Sequence, residues 1–419
     1  MADMGGVWGA AYRGVGRLLG LLAPLLLRRR LARGREDPAR WCEKLGQASL
    51  PRPDGRLVWL HAVGLGEVLA LRALITRLGA ADPSLNFLVT CSSRNAADVF
   101  ARNLPPRCQH QFAPLDCPQF VTKFLDHWQP DLIIWSEQDI WPGVILAARA
   151  RAVPQVLINA RMDARSFTRR HALRALYAPA LRALQMIDAQ DAATAQHLQA
   201  LGAGDVTVSG SLKPAGPPLA VDAGELSCVT QQIQGRTVWL AASSHPNDEA
   251  EALAAQAAWG RGCHLLIIAP RDITRADAIA AQAQAQGLNF MRRSQGTPTA
   301  DTDVWIADSY GEMGLWYSLA EFALIGGGFG TTGGHNPWEA VQLDAAVLHG
   351  PDVANFRADY AALDGAGAAR VLAPGELAKS APTRQACADQ VQRARACAQT
   401  ASAAIDAQAA RLIHLIGGR

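Results

Sequence analysis

The stretch Phe322 to Glu339 reads FALIGGGFGTTGGHNPWE. Its four apolar residues, Phe322 to Ile325, predict a buried strand that runs straight into three glycines. Two more glycines, Gly333 and Gly334, precede His335-Asn336-Pro337, and an apolar-periodic helix is expected from Trp338. Glycines let a backbone turn tightly and approach a ligand without a Cβ in the way. Asn336 suits an N-cap and Pro337 the first helical position, so free helix N–H groups point at the mouth of the loop, an arrangement that takes anions. Glu339 falls in the first helical turn, where it can accept from ribose hydroxyls or simply complement the helix dipole.

The same strand–loop–helix rhythm extends in both directions. Upstream, strands are predicted near Leu57–Val63, Phe87–Thr90, Leu132–Trp135, Gln155–Ile158, Met186–Ala189 and Val206–Val208, with helices at Val68–Leu78 and Ala192–Leu201. Gly210 to Gly235 breaks the pattern with Pro214, Pro217, Pro218 and several glycines, and reads as a linker. A second series follows at Val238–Ala241, Leu265–Ile268, Val304–Ile306, Phe322–Ile325 and Ala346–Leu348, and from Glu376 the chain is Ala-rich and helical. The expected class is α/β: two Rossmann-like, doubly wound parallel sheets facing a cleft. Residues 1–50 form a membrane-associating segment, 51–212 one domain, 213–235 a linker and 236–419 the other domain with its C-terminal helices.

Size and composition fit that reading. The 419 residues exceed what one core supports, and 49% apolar with 18% charged content marks a globular chain. Of the 40 basic residues only Lys44, Lys123, Lys213 and Lys379 are lysines, and with no basic patch in the body of the chain nucleic-acid binding is not expected. Eight cysteines form no CxxC and no Cys/His ligand set, which fits reduced thiols.

Basic charge is local to the N-terminus. Through Arg35 there are seven arginines and one acid, Asp3, so this segment carries +6 of a whole-chain net of +3. Trp8, Tyr12, Val15, Leu19, Leu22 and Leu26 recur at helical spacing, with Arg13 and Arg17 across from them. The apolar run Leu18–Leu27 is ten residues, against roughly 20 for a span, and Arg28-Arg29-Arg30 follow it. An interfacial helix on an anionic cytoplasmic membrane surface is expected, the alternative being a helix docked on the protein's own core.

Several strand ends carry chemistry. His61-Ala62-Val63-Gly64-Leu65-Gly66-Glu67 delivers a carboxylate to the opening of a helix, where a general base would sit. Its glycines lack the third member of the dinucleotide fingerprint, so a dehydrogenase is not expected. Ser136-Glu137-Gln138-Asp139 ends another strand, and Glu137 is a candidate for sugar hydroxyls. In the second half, Ser243-Ser244-His245 and Pro270-Arg271 offer hydroxyls and a guanidinium for a phosphate. Asp301-Thr302-Asp303 precedes a strand, at the wrong edge for a metal, and reads as a turn. No metal and no cofactor are expected.

Together these segments resemble the Kdo transferases, which move 3-deoxy-D-manno-octulosonic acid (Kdo) from CMP-Kdo onto a lipid A precursor. The resemblance rests on Trp59-Leu60-His61-Ala62-Val63 with Gly66-Glu67-Val68, Asn159-Ala160-Arg161, Gly210-Ser211-Leu212-Lys213, Ala241-Ala242-Ser243 with His245, Pro270-Arg271, Gly311-Glu312-Met313-Gly314, and Gly333-Gly334-His335-Asn336-Pro337 with Glu339. It implies a GT-B fold and an inverting, metal-independent transfer with Glu67 as base. It also implies CMP held by Ser243, Ser244, Arg271, Gly311, Met313, Asn336 and Glu339, and acceptor contacts at Glu137 and Gly66. Departures from the family pattern at Gly64, Cys91–Arg94, Ser136–Asp139 and Asp272 leave the acceptor open. Alternatives are a nucleotide-sugar 2-epimerase, a glycosyltransferase with a uridine donor, and a non-catalytic nucleotide- or lipid-binding relative. The basic N-terminus argues against the epimerase, and retention of Glu67 and Glu339 against the last.

Overall fold

The computed structural model describes residues 7–62, 65–101, 104–216, 218–233, 235–260 and 262–417, with all their side chains except those of 7–8, 65–70, 95–96 and 99. Two compact units partition the chain: Met1–Gly216 with Ala401–Arg419, and Pro217–Thr400.

In the first unit, β1 (Leu57–His61), β2 (Asn86–Cys91), β3 (Cys108–Phe112), β4 (Leu132–Ser136), β5 (Gln155–Ala160), β6 (Met186–Ala189) and β7 (Thr207–Val208) form one parallel sheet in the order β3-β2-β1-β4-β5-β6-β7. β1 and β4 are central and buried along their whole length, because helices cover both faces. The chain winds outward from β1 in one direction and from β4 in the other, so the gap between their carboxyl ends is a topological switch point.

The second unit repeats the plan with β8 (Thr237–Ser244), β9 (His264–Pro270), β10 (Phe290–Arg292), β11 (Val304–Ile306), β12 (Phe322–Ile325), β13 (Ala346–His349) and β14 (Ala369–Val371), ordered β10-β11-β9-β8-β12-β13-β14. Its switch point lies between β8 and β12, whose register pairs Ile325 with Ala242. The doubly wound parallel class is therefore observed twice.

Four differences from the sequence reading have physical causes. β3, β10 and β14 are not anticipated by it; all three are edge strands, and a segment such as CQHQF lacks the apolar run of a strand buried on both faces. The expected linker contains a capped helix, Ala223–Gln232, started by Asp222 accepting from the Glu225 N–H, and its Val229 enters the core of the second unit. The terminal helix Arg384–Gly417 does not stay with the second unit: from Ala401 it belongs to the first, where Ile405, Ala409, Leu412 and Ile416 join the core under β1 and β2. Residues 36–50 are likewise part of the first unit, since the buried Glu43 accepts from the Phe112 N–H at 2.7 Å and Lys44 pairs with Glu36 at 2.5 Å.

The N-terminal helix, Val7–Ala32, is continuous through Pro24. Of the anticipated stripe, Tyr12 lies on the docked face, whereas Val15, Leu19, Leu22 and Leu26 face away from it. Tyr12, Gly16, Gly20, Ala23 and Leu27 lie against the first unit, chiefly the helix Pro118–Trp128, with the Tyr12 hydroxyl donating to Asp116. Val15, Leu18, Leu19, Leu21, Leu22, Leu25 and Leu26 are all more than half exposed. Small residues allow close docking and leave the leucines outward; the side chain of Trp8 lies outside the described residues.

Candidate functional site

In the first unit, β1 ends at His61 and the helix Leu65–Ala81 begins within four residues. Glu67 therefore stands in the first turn of a helix leaving a switch-point strand; its side chain and Gly66's surroundings lie outside the described residues, as does Gly64. Around this edge the polar groups form a directed chain. Trp59 Nε1 donates to Thr90 Oγ1 at 2.8 Å, His61 Nδ1 lies 2.8 Å from the same oxygen, and His61 Nε2 lies 3.0 Å from Asp139 Oδ2. With Asp139 accepting, His61 carries its hydrogen on Nε2 and Nδ1 accepts from the threonine hydroxyl. Glu137 is buried, in the left-handed region at φ 60°, and receives Asn159 Nδ2 at 3.4 Å and Lys213 Nζ at 3.7 Å. Asn159, itself at φ 51°, accepts the Leu212 N–H through Oδ1 at 3.1 Å. Non-glycine residues hold such dihedrals only where surroundings enforce them, and both stand at carboxyl ends of central strands. Lys213 and Asn159 thus belong with Glu137, which the strand-end reading alone does not reveal.

In the second unit the glycine stretch turns back on itself at the switch point. A Cβ on Gly328 would lie 2.6 Å from the Gly350 nitrogen, and one on Gly326 would lie 2.4 Å from the Ser243 carbonyl oxygen. The loop is held by Asp248, a buried carboxylate that accepts from the N–H groups of Gly327 (2.7 Å), Phe329 (3.2 Å) and His245 (2.9 Å). Asp248 escapes the sequence reading, although its place three residues after a helix-capping residue is a capping-box signature.

The expected Asn336 cap is present. Asn336 Oδ1 accepts the Trp338 N–H at 3.1 Å, Nδ2 donates to Glu339 at 3.3 Å, and Pro337 has helical dihedrals. The helix it starts is only Trp338–Gln342, too short for much dipole. Burial pushes the Glu339 carboxyl above the usual carboxylate range, against the pull of Asn336 and the Arg271 guanidinium. The longer helix Pro246–Ala258, which follows Ser243-Ser244-His245, has its first turn filled by two buried carboxylates: Asp248, and Glu249 paired with Arg275 at 2.6 Å.

A small cavity of about 70 Å³ opens at this edge, lined by Ser243, Arg271, Ser309, Gly311, Met313 and Trp316 among others. Four of the anticipated donor residues, Ser243, Arg271, Gly311 and Met313, therefore share one cavity. Ser244 is fully buried and does not line it; its carbonyl oxygen accepts the Arg271 N–H at 3.0 Å. Asn336 and Glu339 stand outside the lining, with Arg271 acting on Glu339. Glu312 is fixed at the rim: despite burial, Arg293 and Ser309 hold its carboxyl below the usual range. Arg293 lies 5.6 Å over Trp316 and also reaches Glu225 of the former linker at 2.7 Å. Asp303, of the DxD-like segment, accepts the Asn289 N–H at 2.8 Å beside β11 and so serves a turn.

Residues 39–215 match a family model described as 3-deoxy-D-manno-octulosonic-acid transferase (kdotransferase). A 3-deoxy-D-manno-octulosonic acid transferase of Bordetella pertussis is 34% identical, over 84% of this chain and 84% of that protein. One from Rickettsia bellii is 32% identical over 77% and 78%. The chain belongs to the Kdo transferase family. It is accordingly a glycosyltransferase. Among solved structures, MurG of Acinetobacter baumannii is similar in fold, with a TM-score of 0.52 over 82% of this chain and 95% of that one at 14% identity. The transferase thus has a GT-B-type fold, with two seven-stranded parallel sheets.

Proposed function

We propose that this glycosyltransferase moves Kdo from CMP-Kdo to a lipid A precursor, with inversion, in building the lipopolysaccharide inner core. The observation that carries the reading is the convergence of Ser243, Arg271, Gly311 and Met313 on one cavity, with Glu339 beside Arg271. Arg271 would meet the single phosphate of CMP, Met313 and Trp316 would border the base, and Glu339 would accept from the ribose. Ser244 and Asn336 would act through the backbone they order. In the first unit Glu67 would take the proton of an acceptor hydroxyl as its oxygen attacks the anomeric carbon of Kdo and CMP departs. Glu137, held by Asn159 and Lys213, and Gly66 would lie on the acceptor side. Incubating purified protein with CMP-Kdo and a lipid A precursor, then weighing the lipid, tests the reading. A lipid heavier by one or more Kdo units is expected; unaltered lipid with CMP-Kdo, but a gain with a uridine-linked sugar, would overturn it.

Glu339→Ala should weaken CMP binding by the worth of hydrogen bonds to a charged group, roughly 1.5–3 kcal/mol, about ten- to hundredfold. Calorimetry with CMP on wild type and variant measures it, and unchanged affinity would return Glu339 to a purely capping role.

Location follows from the N-terminal helix. Gly9–Ala32 is long and apolar enough to cross a bilayer by length and composition, yet its small-residue face is docked and its leucine face is bare. That asymmetry supports a helix lying in the interface on the cytoplasmic face of the inner membrane, leucines inward, with Arg28, Arg29 and Arg30 at anionic headgroups. Flotation with anionic vesicles should carry the intact protein and weaken with salt. A chain beginning at Glu36, which keeps the Glu36–Lys44 pair, should stay behind; equal flotation of both would place the anchor elsewhere.

A further inference from the structure

The helix Pro142–Ala150 leaves the loop that carries Glu137, and its own sequence gives it a poor start. Its N-cap is Trp141, whose indole makes no capping bond, and Pro142 follows at the first helical position. The N–H of Gly143 is taken instead from 27 positions away: Asp116 Oδ2 accepts it at 3.0 Å. The fit is tight, since Gly143 has no room for a Cβ beside this carboxylate.

The same Oδ2 accepts the Tyr12 hydroxyl of the N-terminal helix. One carboxylate oxygen therefore joins the docked helix to the first turn of Pro142–Ala150. Burial pushes the Asp116 carboxyl above the usual carboxylate range, and the Tyr12 and Gly143 bonds pull it back. Tyr12, Gly16 and Gly20 follow one another at single-turn spacing along the docked face. A Cβ on Gly16 would lie 3.0 Å from Pro118 Cδ, and Gly20 has no room for one beside Gln119. Gln119 Nε2 donates to the Arg17 carbonyl at 3.3 Å, so the helix grips the whole segment Asp116–Gln119.

A second tie reaches the same loop nearer its start. Arg170 Nη2 donates to the Gln138 carbonyl at 2.7 Å, and the Arg170 guanidinium lies 5.9 Å over the Tyr177 ring. Tyr177 belongs to the helix Arg174–Leu181, which also packs against the N-terminal helix. Both ties thus lead from the loop after β4 back to the docked helix.

We infer that Tyr12 is a positioning residue for the acceptor: by fixing Asp116 it sets the start of Pro142–Ala150, and with it the loop from Glu137 to Trp141. The inference rests on the reading of Glu137 as an acceptor contact. The N-terminal helix then does more than attach the enzyme to a membrane, because undocking it releases the acceptor edge.

Tyr12→Phe removes the hydroxyl and leaves the ring packed. Kinetics are run on the full chain with CMP-Kdo and a lipid A precursor dispersed in detergent, so that attachment to a bilayer limits nothing. The acceptor KM should rise about tenfold, the worth of a hydrogen bond to a charged group, while the KM for CMP-Kdo stays within about twofold of wild type. A bond that served stability alone would lower the amount of active enzyme, and so the maximal rate, and leave both KM values unaltered. Asp116→Asn combined with Tyr12→Phe should raise the acceptor KM by much less than the product of the single effects, because both changes break one relay. Hydrogen exchange reads the relay without any sugar transfer. In Tyr12→Phe the Gly143 amide should exchange faster, while the amides of the helix Ala192–Leu201 keep their wild-type rates. An acceptor KM within about twofold of wild type, equal rises in both KM values, or unaltered exchange at Gly143 would overturn the inference. If wild type transfers no Kdo, the donor and acceptor assignment falls, and the exchange result alone decides the relay.

Discussion

Glu67→Gln should abolish sugar transfer and leave CMP affinity unaltered. The acceptor hydroxyl must shed its proton as the new C–O bond forms, and a glutamine matches the shape of the glutamate without taking that proton. Loss of a general base costs about 10²–10⁴ in rate. The position suits a base, because Glu67 opens the helix that leaves β1, beside β4, where the chain reverses its winding direction. CMP affinity is the control because the cavity lined by Arg271 and Met313 belongs wholly to the second unit. Another carboxylate at this edge, Asp139, is already engaged by His61 at 3.0 Å. Turnover of Glu67→Gln within about a factor of three of wild type would remove Glu67 as the base and make Asp139→Asn the next comparison.

The central strands and their outgoing loops were legible because burial on both faces writes an unbroken apolar run. Phe322–Ile325, apolar throughout, agrees to the residue with the reading from sequence. Edge strands announce themselves poorly, since a half-covered strand such as CQHQF can carry Gln109 and Gln111. Glycine and proline made the loop after β12 readable, and the short range of capping made Asn336 with Glu339 readable as well. Contacts between distant segments left no local trace. His245 and His335 are 90 positions apart, and Glu137 meets Lys213 only because β4 and the chain after β7 return to one edge. In the N-terminal helix the apolar stripe and the docked face are largely separate. Periodicity identifies an apolar stripe, but Gly16 and Gly20 take the docked side, because a small face packs closer than a leucine face.

Asp248→Ala should cost roughly 3–5 kcal/mol of stability and, with it, the shape of the proposed nucleotide site. The carboxylate accepts from three backbone N–H groups in two segments: His245, before the helix, and Gly327 and Phe329, in the glycine loop. Removing it strands the Gly327 N–H in a buried place, and a buried donor without a partner costs about 1–3 kcal/mol by itself. The other two groups are partly buried, so water relieves them only in part. The loop cannot close the gap by shifting inward. Gly328 already lies against Gly350, and Gly326 against the Ser243 carbonyl, with no room even for a Cβ. The loop should therefore loosen, carrying His335 away from His245 and Asn336 away from its helix. Asp248→Asn keeps one acceptor oxygen and should retain part of both properties. Chemical denaturation, together with CMP titration of the folded variant, measures the two effects. The expected order, for stability and for CMP affinity alike, is wild type, then Asn, then Ala. A stable Asp248→Ala protein with wild-type CMP affinity would show that the glycine loop keeps its shape without this carboxylate.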